Sequence, residues 1–187
     1  MSPVRYRDAQ VGGCVEALVE QRADGSTFVR STEALSPFPL RLTDRLEQWA
    51  QSAPDRTFVA RRDQSGEWRR ISYAQMLVRA QAVGQSLLNF GLSAERPLAI
   101  LSGNDIEHLT LALGAMWAGV PCVPVSTAYS LVSQDFGKLR HILGVTTPGL
   151  VFASDVSYLK AIEATLPGEV VRVIGQQALD HLLATTP

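Results

Sequence analysis

The amino-acid sequence predicts an α/β fold with a doubly wound, mostly parallel sheet and flanking helices, plus an irregular N-terminal arm and a β-hairpin. Short, entirely apolar runs alternate with longer amphipathic segments from residue 98 onwards. Apolar runs without polar alternation are typical of parallel strands buried on both faces, and the helices between them serve as right-handed crossovers. A hydrophobic content of 46% supplies a packed core and argues against a disordered chain.

The irregular arm is predicted over residues 1–40 and the α/β domain over residues 41–187. Two β-prone runs in the arm, Val15–Val19 and Thr27–Val29, are candidates for short strands. Turn and breaker signals separate them, namely Gly12-Gly13, Asp24-Gly25 and Ser36-Pro37-Phe38-Pro39. We therefore expect an arm that packs on another part of the protein.

The first helix of the α/β domain is predicted from the spacing of its apolar residues. Leu42, Leu46 and Trp49 form a stripe at helical spacing that ends before Pro54. Thr43 is the residue that we expect to cap the helix at its N-terminus.

A hairpin and a second helix follow. The β-rich runs Thr57–Arg62 and Trp68–Ile71 flank the turn sequence Asp63-Gln64-Ser65-Gly66. The segment Ser72-Tyr73-Ala74-Gln75 has the residues of a capping box, which opens a helix. Gly91 suits the left-handed position at which that helix is expected to end.

The remaining elements alternate regularly. The predicted strands are Leu98–Leu101, Val120–Val125, Leu150–Ala153 and Val170–Ile174. The predicted helices are Asp105–Ala118, one from Ser133 or Asp135 to Leu143 that stops at Gly144, one capped by Ser154 that ends before Pro167-Gly168, and Gln177–Leu183.

Charge and cysteine usage argue against several classes of protein. A formal net charge of -1 gives no field that favours nucleic acid or anionic membranes. Arg61-Arg62 and Arg69-Arg70 are interpreted as the solvated face of the hairpin. Cys14 and Cys122 have no metal-type spacing, and their small number is consistent with a reducing cytoplasm. No apolar stretch approaches the length of about 20 residues that a membrane span needs.

The sequence contains no complete catalytic motif. Gly-x-Gly-x-x-Gly and Walker-type phosphate loops are absent, and so are a Gly-x-Ser-x-Gly elbow and zinc-type spacing of His and Cys. His108 is interpreted as an exposed or hydrogen-bonded structural histidine. We therefore predict no catalytic residue and no metal ligand.

One strand-to-helix junction, at Leu101-Ser102-Gly103-Asn104-Asp105, is the best candidate for a pocket. Crevices in open α/β sheets form at the carboxyl ends of strands, where small polar residues such as Ser102 and Asn104 line them. The alternative is a plain turn in which Asn104 or Asp105 caps the following helix.

Three segments of the chain resemble the core motifs of the adenylate-forming superfamily, which comprises AMP-binding enzymes such as acyl-CoA synthetases. They are Ile71-Ser72-Tyr73-Ala74-Gln75-Met76, Asn104-Asp105-Ile106-Glu107, and Met116–Val125 with its Ala-Gly and Pro positions. Their order and spacing also agree with that superfamily, and the resemblance covers about Arg41 to Ile174.

Within the superfamily the chain most resembles feruloyl-CoA synthase. The similar stretches are Arg96–Asp105, Ala128–Arg140, Gly12-Gly13 and Asp24-Gly25-Ser26-Thr27. Trp117 and Cys122 depart from that group, which more often has tyrosine there, and both are plausible substitutions in a core.

The resemblance implies the N-terminal subdomain of an acid–CoA ligase that uses ATP, Mg²⁺ and coenzyme A on an aromatic acid such as ferulate, as in phenylpropanoid degradation. The family's phosphate loop, adenine and ribose segments and lid lysine do not occur before Pro187. The chain is therefore expected to be inactive and to bind no cofactor alone, with the remainder of the ligase as its partner.

Candidate roles for individual residues follow from their positions and from the motifs. Ser102, Asn104 and Tyr129 are candidates for residues near the substrate, with coenzyme A contact considered near Ser102 and Tyr129. Tyr73, Gly119 and Pro124 belong to the structural motifs.

Two alternatives remain open at the level of sequence. The chain is either part of a ligase or a stand-alone interaction or regulatory module derived from half a ligase fold. Within the ligase hypothesis, a fatty acid or another aryl acid is an alternative substrate. The first hypothesis predicts exposed apolar surface where the rest of the enzyme docks, and hence a tendency to self-associate.

Overall fold

The computed structural model describes residues 16–63 and 65–187. The described residues form two compact units, one that ends at Pro39 and one that spans Leu40–Pro187. Gly12-Gly13, Cys14 and the start of the strand expected at Val15 lie outside the described residues.

The first unit contains an antiparallel hairpin of β1 (Ala17–Gln21) and β2 (Thr27–Ser31). Its turn depends on Gly25, whose φ of 84° lies in the left-handed region. The carboxylate of Asp24 accepts hydrogen bonds from the backbone N–H and the hydroxyl of Ser26, at 2.9 and 2.7 Å. This part of the predicted irregular arm is therefore a regular hairpin, and the two candidate strands pair with each other.

The second unit begins with α1 (Leu42–Ser52), which is capped by Arg41 and not by Thr43. The Asp44 carboxylate accepts the Arg41 backbone N–H at 3.1 Å and its Nε at 2.8 Å. Thr43 lies inside the first turn with its side chain buried. The predicted cap was wrong because the Arg41–Asp44 pair satisfies the helix start two residues before Thr43.

The predicted hairpin and second helix are present. Strands β3 (Thr57–Arg62) and β4 (Trp68–Ser72) pair antiparallel and lead into α2 (Tyr73–Asn89). Ser72 and Gln75 form the capping box, because the Gln75 amide oxygen accepts the Ser72 backbone N–H at 2.9 Å and the Ser72 hydroxyl accepts the Gln75 N–H at 3.3 Å.

The remaining elements build the α/β core. They are β5 (Leu98–Leu101), α3 (Ile106–Ala118), β6 (Cys122–Pro124), α4 (Ala128–Leu131), α5 (Gly137–Thr146), β7 (Leu150–Ala153), a 3₁₀ turn (Val156–Tyr158), α6 (Leu159–Thr165), β8 (Val171–Ile174) and α7 (Gly175–Leu183).

The described part of the chain contains a four-stranded parallel sheet in the order β6-β5-β7-β8. Leu98 of β5 pairs with Cys122 of β6 on one side and with Leu150 of β7 on the other. The chain thus moves from β5 to one edge of the sheet and then back past β5 to the other, which places helices on both faces. The predicted doubly wound α/β fold is confirmed.

Alternate residues of each central strand enter different cores. Leu98 and Ile100 pack with α2, α3 and α7, whereas Ala99 and Leu101 pack with α5 and α6. All four side chains are at most 1% exposed. Because burying a leucine-sized side chain contributes about 1.5–3 kcal/mol, this two-sided burial explains why the strands are wholly apolar.

Helix α5 begins later than the sequence predicts. Ser133 and Asp135 precede the helix, which begins only at Gly137. Their side chains nevertheless accept backbone N–H groups at its start, from Phe136 to the Ser133 hydroxyl and from Gly137 to the Asp135 carboxylate, both at 3.0 Å.

The predicted stop of α5 at Gly144 was wrong, because the helix continues to Thr146. Thr147 then adopts a left-handed conformation with a φ of 43°. Thr147 precedes Pro148, whose ring disfavours helical geometry at the residue before it. The proline, rather than the glycine, therefore ends the helix.

Candidate functional site

The loops that follow β5, β6 and β7 meet at the carboxyl edge of the sheet, and we call them the carboxyl-edge loops. Two backbone hydrogen bonds join them, from the N–H of Val125 to the carbonyl of Ile100 at 2.9 Å and from the N–H of Ser154 to the carbonyl of Leu101 at 3.2 Å. The parallel topology thus brings together polar residues that are far apart in sequence.

Ser102 lies directly after β5 and is paired with a histidine. Its side chain is buried, and its hydroxyl lies 2.9 Å from Nδ1 of His108 on the first turn of α3. The pair resembles a nucleophile and its base, but the carboxylate of Asp105 bonds the backbone of His108 and not its ring. The contact therefore holds the loop against the helix and makes His108 a hydrogen-bonded structural residue.

Asp105 is the N-cap of α3. Its carboxylate accepts the backbone N–H of His108 at 2.6 Å, and its other oxygen lies 4.0 Å from Nη1 of Arg61. The side chain is only 7% exposed, and this burial raises the pKa of Asp105 even though the hydrogen bond from His108 and the charge of Arg61 oppose the shift. Of the two residues expected to cap this helix, the structure selects Asp105.

Asn104 is exposed and lies at the polar end of a groove between β3 and α3, which we call the β3–α3 groove. The groove has a volume of about 470 Å³. Its apolar wall is formed by Val59, Ala60, Leu109 and Ala112. Asn104 therefore lies beside an apolar groove wall and is open to solvent.

Tyr129 lies on α4, a short helix that the sequence did not predict. Its half-buried ring packs against the core beneath α5, and Nζ of Lys138 lies 5.3 Å from the ring centroid. Tyr129 shares the carboxyl edge with Ser102 and Asn104. No hydrogen bond joins it to either of them among the residues that the structure describes.

Two further residues of the carboxyl edge were missed by sequence reasoning. Asp155, and not Ser154, caps the 3₁₀ turn, since its carboxylate accepts the N–H of Ser157 at 2.8 Å. Tyr158 is buried, and burial together with the charges of Asp155 and Asp105 raises the pKa of its phenol. The available signal was a serine directly after an apolar strand with an aspartate close behind it, as in Ser102 and Asp105 after β5.

Tyr73, the first residue of α2, packs against α1 and the β3–β4 hairpin. Its backbone N–H donates to the carbonyl of Arg56 at 3.1 Å. Its ring lies 4.9 Å from that of Phe58 and 6.0 Å from that of Trp49, measured between centroids. It thus joins α1, the hairpin and α2 into one cluster.

Gly119 and Pro124 occupy positions that their backbones suit. Gly119 follows α3 with a φ of 71°, a left-handed conformation that costs glycine little. Pro124 lies on the edge strand β6 opposite Ile100, where the missing N–H takes no ladder bond away.

Cys122 is half-buried, and burial raises the pKa of its thiol to about 11. A thiol with such a pKa is protonated at neutral pH and is a poor nucleophile. Within the described residues, no group of three or more His, Cys, Asp or Glu side chains could hold a metal ion. None of the described helices is long and apolar enough to cross a membrane.

The sequence pattern of the AMP-binding enzyme family matches residues 46–186, which is most of the chain. The chain belongs to this family. The match includes the carboxyl-edge loops and favours the ligase hypothesis over an independent interaction module.

The chain is similar to two curated relatives. The chain is 30% identical over 118 residues to a long-chain-fatty-acid–CoA ligase of Bos taurus, a match that covers 63% of the chain and 16% of the ligase. It is 31% identical over 91 residues to luciferin 4-monooxygenase of Nipponoluciola cruciata, covering 49% of the chain and 16% of that enzyme. The matches thus span about one sixth of these relatives' length.

Solved structures of related ligases share the fold. A fatty acyl-adenylate ligase from L. pneumophila, solved with acyl adenylate and pyrophosphate, has a TM-score of 0.62 and 17% identity. The likeness covers 79% of this chain and 25% of that ligase.

The N-terminus of α3 does not fit a phosphate group. A helix N-terminus binds phosphate through uncommitted backbone N–H groups. At α3 that position is taken by the carboxylate of Asp105, whose negative charge repels a phosphate. The junction between β5 and α3 is therefore unsuited to binding the phosphates of a nucleotide.

Proposed function

We propose that the chain is the N-terminal subdomain of an ATP-dependent acid–CoA ligase of the feruloyl-CoA synthase type, located in the cytoplasm. The observation that carries this proposal is the family match over residues 46–186, which runs through the whole parallel sheet. In the proposed reaction a carboxylate attacks the α-phosphate of ATP to give an acyl-adenylate and pyrophosphate. The thiol of coenzyme A then displaces AMP.

The chain's own part in this reaction is structural. It contains neither a glycine-rich phosphate loop nor a group of acidic residues for Mg²⁺ among its described residues. We propose that it supplies one wall of the active site and activates no acid alone, the remaining residues coming from the rest of the ligase.

Exposed apolar surface supports a docking role. Helix α3 is apolar on nearly every face, as expected of a helix enclosed on all sides. Met116 on α3 is nevertheless 45% exposed, and the neighbouring β3–α3 groove is open. In the proposed ligase, the rest of the large domain covers Met116 and the apolar wall of the groove, whereas the polar end at Asn104 stays open.

Ferulate is the proposed acid because Arg96–Asp105 and Ala128–Arg140 are similar to feruloyl-CoA synthase. A long-chain fatty acid is the second candidate, since the curated relatives include a ligase for such acids. The carboxyl-edge residues Ser102, Asn104 and Tyr129 are proposed to border coenzyme A. Asn104 is the exposed member of the three, so it is free to contact a ligand.

The first test is ATP–pyrophosphate exchange by the chain with ferulate and with palmitate. We expect no exchange above the background without protein, because the sequence holds no glycine-rich phosphate loop of the Walker or Gly-x-Gly-x-x-Gly type. Robust exchange with either acid would refute the proposal that the chain activates no acid alone.

The second test is a chimera in which this chain replaces the corresponding N-terminal part of a feruloyl-CoA synthase. We expect thioester formation from ferulate, and Asn104→Ala is expected to raise the KM for coenzyme A several-fold without changing the KM for ATP. Asn89→Ala, at the exposed end of α2, is the matched control. A folded but inactive chimera contradicts the ligase proposal, and activity confined to palmitate contradicts the assignment of ferulate.

A further inference from the structure

A second pocket, of about 480 Å³, lies at the amino edge of the sheet, opposite the carboxyl-edge loops. Gly149 and Val170 directly precede β7 and β8, and both line it. We call it the amino-edge pocket. Its volume is within the range of small-molecule sites, which is about 300–1,000 Å³. It shares no residue with the candidate site described above.

The floor of the amino-edge pocket is apolar and well packed. Leu143 at the end of α5 and Leu166 after α6 are 5% and 8% exposed, and both belong to the core on that face of the sheet. The half-buried Val170 and the buried Pro148 complete the floor. An apolar group that binds here is removed from water, and it packs against side chains that are already held in position.

Arg96 forms one charged wall, and its position depends on a glycine. A Cβ on Gly149 would lie only 3.0 Å from Nε and 3.2 Å from Nη2 of Arg96. The absence of that atom lets the guanidinium lie against the backbone. Within residues 16–63 and 65–187, the Arg96 side chain has no hydrogen bond or ion pair. Its donors are therefore uncommitted.

A second arginine adds to the positive charge. Nη1 of Arg140 donates to the carbonyl of Ala164 at 2.7 Å, which fixes the side chain across the pocket. Glu169 is the acidic residue among the lining groups. Two guanidinium groups thus face one carboxylate, and the balance of charge favours an anion over a cation.

Two backbone donors of the pocket, on either side of Pro148, are not available to such an anion. The N–H of Thr147 donates to Leu143 and that of Gly149 donates to Pro97, at 2.9 and 3.0 Å. We therefore assign the anion to the side chain of Arg96. A guanidinium matches the two oxygens of a carboxylate in one plane, whereas a doubly charged phosphate would be repelled more strongly by Glu169.

We propose that the amino-edge pocket binds a small amphipathic carboxylate, with its apolar body against Leu143 and Leu166 and its carboxylate on Arg96. The proposal does not depend on the ligase function. It concerns the opposite edge of the sheet and is tested without ATP or coenzyme A.

The test is an amide NMR titration of the isotopically labelled chain with octanoate, octylammonium and 1-octanol. Octanoate is expected to cause saturable shift changes at Gly144, Thr147, Gly149 and Val170. Octylammonium and 1-octanol should bind there at least fivefold more weakly, because they present no anion to Arg96.

Three variants isolate the contribution of the guanidinium. Arg96→Gln removes its charge and is expected to weaken octanoate binding about fivefold, and Arg96→Lys should weaken it less. Gly149→Ala keeps the charge but displaces the guanidinium, so it should also weaken binding. Arg45→Gln, on the exposed face of α1 with its hydrogen bond to Gln48, is the matched control and should bind as the parent does.

Several results would overturn the proposal. These are the absence of saturable shifts at the pocket, equal binding of octylammonium or 1-octanol, and unchanged affinity in a folded Arg96→Gln variant. Shifts confined to Ala60 and Leu109 would place the ligand in the β3–α3 groove and also overturn it. If the amide spectrum shows that Arg96→Gln is not folded like the parent, the proposal is tested by comparing octanoate, octylammonium and 1-octanol on the unaltered chain.

Discussion

At the scale of the residue, Asp105 combines two opposing effects. Its carboxylate stabilises the first turn of α3 by accepting the backbone N–H of His108. Burial of the side chain penalises its charged form, and this raises the pKa of Asp105 in the folded state. The folded chain therefore holds this proton more tightly than the unfolded chain does. The resulting stability is present at low pH and is lost as the pH rises through the folded pKa.

Asp105→Asn is expected to keep the cap and remove the buried charge. At pH 7 its free energy of unfolding should equal or exceed that of the parent, whereas Asp105→Ala should lose about 1 kcal/mol because the cap is absent. Urea unfolding monitored by circular dichroism measures both. The advantage of Asp105→Asn over the parent should grow as the pH rises above about 4, and an advantage that shrinks over this range would contradict the account.

The loop after β5 shows how much about individual residues can be predicted from the sequence. Ser102 and Asn104 were selected because small polar residues follow an apolar strand, and both lie at the carboxyl edge. The partnership of Ser102 with His108 was not predicted. It depends on the angle at which α3 leaves the loop, which sequence spacing does not specify. The functional roles of Ser102, Asn104 and Tyr129 stay predictions.

At the scale of the element, two glycines let α2 and α3 approach closely. A Cβ on Gly84 of α2 would lie 3.0 Å from the carbonyl oxygen of Gly114. A Cβ on Gly114 of α3 would lie 2.7 Å from Cβ of Val83 and closer still to its Cγ1. Because both neighbours belong to packed helices, neither can move aside without cost.

Gly114→Ala is therefore expected to lower the free energy of unfolding by about 1–3 kcal/mol through overpacking. Gly144→Ala is the matched control, since Gly144 also lies inside a helix but a Cβ there meets nothing within 4 Å. It should raise stability by about 0.5–1 kcal/mol, because alanine is the better helix former. Thermal and urea unfolding test whether the two variants change the free energy of unfolding in opposite directions. Changes in the same direction would refute the expectation.

Element boundaries also show where sequence patterns are ambiguous. The predicted stripe of α1 was Leu42, Leu46 and Trp49, yet Leu42 and Trp49 are 67% and 39% exposed. The buried face is Thr43, Leu46 and Ala50. Both sets have helical spacing, and which one faces inward is decided by contact with α2 and not by hydrophobicity alone.

At the scale of the whole molecule, the outward surface of α3 presents apolar side chains to solvent. Met116 is 45% exposed, while Leu109 and Ala112 are half-buried in the wall of the β3–α3 groove. A contiguous apolar surface of this kind favours association with a partner or with another copy of the chain.

The chain is accordingly expected to self-associate at high concentration, and Met116→Lys should weaken that association several-fold by placing a charge on the surface. Val145→Lys is the control, because Val145 is 69% exposed on α5, which packs on the other face of the sheet. Sedimentation equilibrium measures both. A parent chain that stays monomeric, or an equal effect of the two lysines, would contradict the expectation.

The sequence by itself determined the class of fold, the strands of the parallel sheet with the helices between them except α4, and the family. These follow from local information: wholly apolar strands, amphipathic helices, glycines at helix ends and three motifs in the right order. Only the tertiary structure decided that Asp105 caps α3, that Ser102 meets His108, and that Arg96 lies over Gly149 beside an apolar pocket. These are contacts between segments whose mutual orientation comes from packing on two faces of one sheet, and no local pattern encodes that orientation.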